Sequence, residues 1–132
     1  MIDKVPISTS KKQELVDITS KINDIVKKSN IKEGLCIVYC PHTTAGITIN
    51  ENADPDVQQD ILKKLASLIP QNENYQHSEG NSDAHIKSSL LGNEKTIIIN
   101  NNELMLGTWQ GIYFFEGDGP RERKVIIKII EG

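Results

Sequence analysis

The stretch Ile97-Ile98-Ile99-Asn100-Asn101-Asn102-Glu103-Leu104-Met105-Leu106 decides the fold class. Two apolar runs flank three asparagines, and asparagine tolerates the positive φ that a tight turn between strands demands. The stretch therefore predicts an antiparallel hairpin. Toward the carboxyl end, further strands are expected at about 109–115 and 124–130, separated by Gly117-Asp118-Gly119-Pro120. Several of these strands are apolar in continuous runs rather than alternating. Both faces then need cover, from helices, a second sheet or a neighbouring subunit.

Toward the amino end the pattern mixes helices and strands. Ser82 is placed to cap a helix running to Leu91, with Gly92 available for the left-handed terminating conformation. Ahead of it, Asp54 suits an N-cap, and Pro55 suits the first helical position because its missing N–H would be unpaired anyway. Val57, Ile61, Leu65 and Leu68 then recur on one face until Pro70. A helix is expected over 55–69, followed by a polar loop over 70–81 of the length at which loops in compact domains are often functional. Strands are expected at 34–40 and 46–50, and a first strand at 2–8. Between these, Ser10 and Gln13 read as a capping box. Leu15, Ile18, Ile22, Ile25 and Val26 recur at helical spacing up to Asn30, so one amphipathic helix is expected there. The sum is an α+β domain of antiparallel sheet and about three helices, with no linker or repeat dividing residues 1–132.

Composition narrows the function classes. A chain of 132 residues can bury a core without disulfide or metal staples. Its net charge of −3 gives no basic footprint for nucleic acid. The longest apolar runs fall far short of the roughly 20 residues that span a bilayer, so no membrane partner is expected. Nor does the amino end carry the long apolar stretch of a secretory signal. Cys36 and Cys40 sit four apart on an expected strand, which separates their Cα atoms by about 13 Å, too far to bridge. They read as small buried side chains in a reducing compartment, and the expected location is cytoplasmic.

The chemistry-bearing residues gather in polar segments. The three histidines, His42, His77 and His85, fall in loops or at a helix start, each flanked by small polar residues. Imidazole is the commonest metal ligand and titrates near neutrality. Three of them match the ligand count of a catalytic zinc site, although their spacing fits no compact ligand motif, and separate hydrogen-bonded histidines are the alternative. Glu51, Glu79 and Asp83 lie close in sequence to a histidine and can orient ligands or hold magnesium, or else cap helices and stay solvated. Arg121 and Arg123, beside a glycine-bearing turn, form a candidate phosphate clamp or an ordinary charged sheet edge. Trp109, flanked by Gly107, Gln110 and Gly111, is a candidate for stacking on a planar ligand, against a core role.

These residues also carry a family likeness. The chain resembles the YjbQ family, whose members are described as secondary thiamine-phosphate synthase-type proteins. The resemblance runs through His42-Thr43-Thr44, Asn50-Glu51-Asn52-Ala53-Asp54-Pro55, Ala84-His85-Ile86-Lys87, Ser89-Leu90-Leu91-Gly92, Leu106-Gly107-Thr108-Trp109-Gln110 and Asp118-Gly119-Pro120-Arg121. It implies a compact α+β subunit with its sheets packed as a sandwich. It also implies a homotrimer, with polar sites near the subunit contacts. The implied activity joins hydroxymethylpyrimidine pyrophosphate to thiazole phosphate, releasing pyrophosphate. Laid on this chain, that reaction gives His42, His77, His85, Glu51 and Asp83 catalytic roles. Thr43, Thr44, Trp109, Gln110, Arg121 and Arg123 would bind the small phosphorylated substrate. The three histidines would hold a divalent metal, zinc or magnesium. Two other readings stay open: a three-histidine metal-dependent hydrolase of a small substrate, and a trimeric non-enzymatic binder of an anionic metabolite.

Overall fold

A computed structural model describes residues 2–132. The asparagine turn forms as expected, with Asn101 and Asn102 at φ 53° and 61° between β5 (Glu94–Asn100) and the short β6 (Glu103–Leu104). β5 and β6 join β1 (Ile2–Ser8), β3 (Gly34–Tyr39) and β8 (Glu122–Glu131) in a five-stranded sheet ordered β1-β8-β3-β5-β6. A second sheet of three strands runs β2 (Glu14–Asp17), β7 (Gln110–Glu116), β4 (Ala45–Glu51). Every strand pair in both is antiparallel. The helices are α1 (Thr19–Ser29), α2 (Pro55–Leu68) and α3 (Ser82–Leu91), so the fold is α+β.

The two sheets face one another across the core. Cys36, Val38, Ile97, Ile99, Val125 and Ile127 come from the larger sheet, Ile47, Ile112 and Phe114 from the smaller, and Ile22 and Val26 from α1. Side chains of this size contribute about 1.5–3 kcal/mol each on full burial. The expected thiol role holds: Cys36 and Cys40 are free and buried, and desolvation pushes each thiol up to about 11. On the other face of β7, Tyr113 and Phe115 are also buried, which explains the continuous apolar run of that strand. α3 docks against β4. A Cβ on Gly46 would stand 2.7 Å from the Gly92 carbonyl oxygen, and Ile47 N–H donates to that same oxygen at 3.0 Å, so glycine is what lets the two backbones meet.

The outer face of the five-stranded sheet is different. Leu35 of β3 stands opposite Ile98 on one side and Ile130 on the other, and all three are exposed, as is Met105 nearby.

Four local expectations change. The stretch from Ser10 is not helix: Leu15 lies in β2, and α1 begins only at Thr19, where the Asp17 carboxylate accepts from the Thr19 N–H (3.0 Å) and hydroxyl (2.6 Å). Ser10 and Gln13 form no capping box. The Glu14 carboxylate takes the N–H groups of Ser10 (2.5 Å) and Lys11 (3.0 Å) instead, and Gln13 reaches away to Asp83. At α3 the N-cap position belongs to Asn81 rather than Ser82, and no side chain caps it. Gly92 has φ 89° and ψ 162°, positive but extended rather than left-handed helical, because the chain turns directly into the contact with β4. The apolar stripe of α2 exists, and Asp54 caps it as expected, yet none of its residues is fully buried.

Candidate functional site

Two strand ends and the start of α3 converge at one end of the sandwich. β3 stops at Tyr39, opposite Ile126 of β8; continuing that register would put Pro41 opposite Lys124. Proline has no N–H to offer the ladder. The His42 ring fills the gap, its Nε2 standing 3.1 Å from both the N and the O of Lys124. Its edge packs against Phe114, with ring centroids 6.4 Å apart. Burial, and then the positive charge of Arg123, lower the His42 pKa, against the opposing pull of the Lys124 backbone, so the ring is neutral at neutral pH.

Beneath His42 lies a buried ion pair between the sheets. The Glu116 carboxylate is fully buried and accepts from Arg123 Nε (2.8 Å) and Nη2 (2.5 Å), the Thr9 hydroxyl (2.7 Å) and Asp118 N–H (2.9 Å). Burial pushes its pKa up, but these donors and the charge of Arg123 win and hold it below the usual carboxylate range. Arg123 Nη2 also donates to Thr44 Oγ1 at 2.8 Å, leaving the threonine its own hydrogen. Arg121 stands half exposed, tied to Asp118 through its Nη2 at 2.9 Å and its Nε to the Asp118 carbonyl. Burial again works against the Asp118 charge. Hydrogen bonds from Lys12, Asn81 and Arg121, with the charge of Lys12, bring its pKa down to about 2.

The result is a polar cavity of about 430 Å³ lined by Pro41, His42, Thr43, Thr44, His77, Glu79, Asn81, His85, Arg121 and Arg123. The structure thus brings together eight of the candidate residues. His77 and His85 meet edge to face with ring centroids 5.5 Å apart, and Glu79 Oε1 stands 3.8 Å from His77 Nε2. Two imidazoles on one tetrahedral zinc, each with a metal–nitrogen bond near 2 Å, place their centroids about 5 Å apart. The two rings stand at a similar spacing. His42 Nε2 is bonded to Lys124, and among the described residues no group of three or more metal-ligating side chains converges.

The other candidates lie elsewhere. Asp83 is buried under α3, where its Oδ2 accepts from Lys87 Nζ (3.1 Å) and Gln13 (2.9 Å), and Lys87 is itself 1% exposed. Glu51, Trp109 and Gln110 sit at the far end of the smaller sheet. Glu51 pairs with Gln110 six residues along β4 from the Ala45–Glu116 pair, a separation of roughly 20 Å. There Gln110 closes its own loop by accepting the Gly107 N–H at 2.8 Å, and Trp109 is 63% exposed. Sequence reading also missed Glu116, Asn81 and Asp118. The one available signal was Glu116 itself, an acid ending the apolar run Ile112-Tyr113-Phe114-Phe115 with Arg123 seven positions on.

The fold and cavity define a class: small α+β proteins in which two antiparallel sheets close over an arginine- and histidine-lined cleft. A family model described as UPF0047 protein YjbQ-like matches residues 3–132, and the chain belongs to that family. It is 58% identical over 130 residues to a UPF0047 protein of Methanocaldococcus jannaschii, covering 98% of this chain and 94% of that one. To the UPF0047 protein YugU of Bacillus subtilis it is 48% identical, covering 98% and 99%. A crystal structure of a YjbQ/UPF0047-family protein from Clostridium acetobutylicum superposes with a TM-score of 0.95 at 55% identity, over 97% of this chain and 99% of the other. A YbjQ-like protein of unknown function from Sulfolobus solfataricus gives 0.96 at 36% identity, over 100% and 97%. No helix among the described residues is long and apolar enough to cross a membrane.

Proposed function

We propose that the chain is a thiamine-phosphate synthase-like transferase whose cleft receives a pyrophosphate-bearing substrate. Arg123 carries the assignment. Its guanidinium is pinned by a buried carboxylate and by Thr44, while the same side chain lines the cleft beside Arg121. A guanidinium fixed in place meets an anion with no rotamer freedom left to lose, which is how preorganised donors stabilise a charge that grows in the transition state. The carbon–oxygen bond of the pyrimidine pyrophosphate breaks, with the electron pair leaving on pyrophosphate. The thiazole nitrogen lone pair forms the new carbon–nitrogen bond. Arg121, Arg123 and the Thr43 and Thr44 hydroxyls hold the departing group, and His85 and His77 lie within the same cleft to pass protons.

A divalent ion, zinc or magnesium, enters this proposal only at the His77–His85 pair, and no step above depends on it. The assembly proposed is a homotrimer. It is supported by the exposed Leu35, Ile98 and Ile130 row, and by the distance of Trp109, Gln110 and Glu51 from the cleft, which a neighbouring copy would shorten. A second reading, a trimeric non-enzymatic binder of an anionic metabolite, needs only the anion donors gathered in the cleft.

Turnover of the two substrates by the purified protein, followed as pyrophosphate release, tests the proposal. Replacing Arg121 and Arg123 together by alanine is expected to reduce turnover by at least about 100-fold. Unchanged turnover in a folded double variant would remove the clamp. Saturable pyrophosphate binding with no turnover in the wild type would leave the binder.

A further inference from the structure

A second cavity of about 510 Å³ adjoins the cleft, and the two share one wall, formed by His42, Thr43 and His85. Their linings differ in kind. The first holds two guanidiniums; the second is completed by Ser88, Ser89, Gly92 and Asn93, with no lysine, arginine, aspartate or glutamate among its described lining residues. Ser88 and Ser89 hold their hydroxyls toward backbone carbonyls, Ala45 at 2.6 Å and His85 at 3.0 Å, which leaves their lone pairs to accept. The charged lobe has a further mark of a built site. Asn81 is 6% exposed and lines it, donates through Nδ2 to Asp118 at 2.9 Å, and leaves Oδ1 buried with no partner.

We infer that the two lobes form one bipartite site: the arginine lobe takes the phosphoryl group of a ligand, and the serine–asparagine lobe takes an uncharged, hydrogen-bonding group attached to it. The inference rests on the proposed function and sharpens it. The second lobe offers an amino- or hydroxyl-bearing ring hydroxyls, a carboxamide and imidazoles, while the ammonium beside its Gly92, Lys95 Nζ, is turned to the Leu91 and Glu94 carbonyls and is not part of the lining. The histidine wall then lies at the junction of the two groups.

Two probes separate the lobes by calorimetric titration of the intact protein: inorganic pyrophosphate, and the uncharged 4-amino-5-hydroxymethyl-2-methylpyrimidine. Both are expected to bind together, without competition. Ser89 is exposed, so Ser89→Phe fills the uncharged lobe without entering the core. It is expected to weaken the pyrimidine by about tenfold or more while pyrophosphate stays within about twofold. Asn93→Ala, also exposed, provides a smaller change in the same direction. Arg121→Ala is expected to do the reverse. Competition between the probes, or a pyrimidine affinity untouched by Ser89→Phe and Asn93→Ala, overturns the two-lobe site. If pyrophosphate binds the wild type and the pyrimidine does not, the uncharged lobe falls while the clamp stands. If pyrophosphate fails to bind and the pyrimidine binds in a Ser89-dependent way, the clamp falls and the uncharged lobe stands.

Discussion

Replacing Glu116 by glutamine probes the ion pair that the cleft is built on. The carboxylate accepts four hydrogen bonds, two of them from Arg123, and both residues are buried. Glutamine keeps the shape but has one acceptor oxygen, and its amide must point N–H groups at donors on the other side. Removing one partner of a buried pair costs about 3–5 kcal/mol because the remaining charge is stranded, and the retained oxygen recovers part of this, so about 3 kcal/mol is expected. With a urea m-value of about 1.5 kcal/mol per molar, the unfolding midpoint drops by about 2 M. The comparison belongs at one fixed protein concentration, since an assembled protein gains stability by mass action. The pH dependence supplies an internal check. The folded pKa of Glu116 lies below its unfolded value, so its contribution is complete above about pH 4.5 and is lost as the pH falls through the folded value. Glu116→Gln therefore flattens the acid limb of the stability curve. A midpoint change corresponding to less than about 0.5 kcal/mol, or an acid limb as steep as wild type, would refute the role given to this pair.

Three further outcomes follow from other parts of the fold. Asp118→Asn is expected to cost about 1–2 kcal/mol at neutral pH, with the difference from wild type shrinking as pH falls from 3.8 toward about 2, measured as melting temperature against pH. Ile98→Lys places a charge in the exposed apolar row; if that row forms the proposed trimer contact, light scattering should report single 14.7 kDa chains for the variant and a threefold larger mass for the wild type, with circular dichroism unchanged. If the proposed ion sits at the His77–His85 pair, elemental analysis should find a divalent metal that is lost in His77→Ala and retained in His42→Ala, because the His77 and His85 rings are in contact while His42 Nε2 is bonded to Lys124; loss in the His42 variant alone would reverse that assignment.

Much of the fold was legible because local chemistry fixed it. The asparagine turn, the Asp54–Pro55 helix start and the left-handed Asn30, at φ 59°, each depend on a few adjacent residues. Ser10–Asn30 was not, because Leu15 and Ile18 satisfy a helical period and a strand-then-helix equally well; pairing with β7 decides between them, and that partner is a hundred residues away. The candidate site divides on the same line. His42, Thr44, His77, His85 and the arginines follow from motif company, and the fold does gather them. Asp83, Glu51 and Gln110 were read from sequence neighbours of histidines or of Trp109, and within one chain the fold places them under a helix or at the far end of a sheet. Glu116 escaped notice because nothing local announces that Arg123 will lie against it.

The His42 ring, standing where proline interrupts the ladder, makes the cleft wall and the sheet edge a single hydrogen-bonded object. Any occupant that turns this imidazole must free the backbone amide of Lys124 in the same movement. That amide is therefore a natural gauge of occupancy. Its exchange with solvent deuterium should speed up or slow down when pyrophosphate enters, reporting binding from outside the cavity with no label attached to the protein.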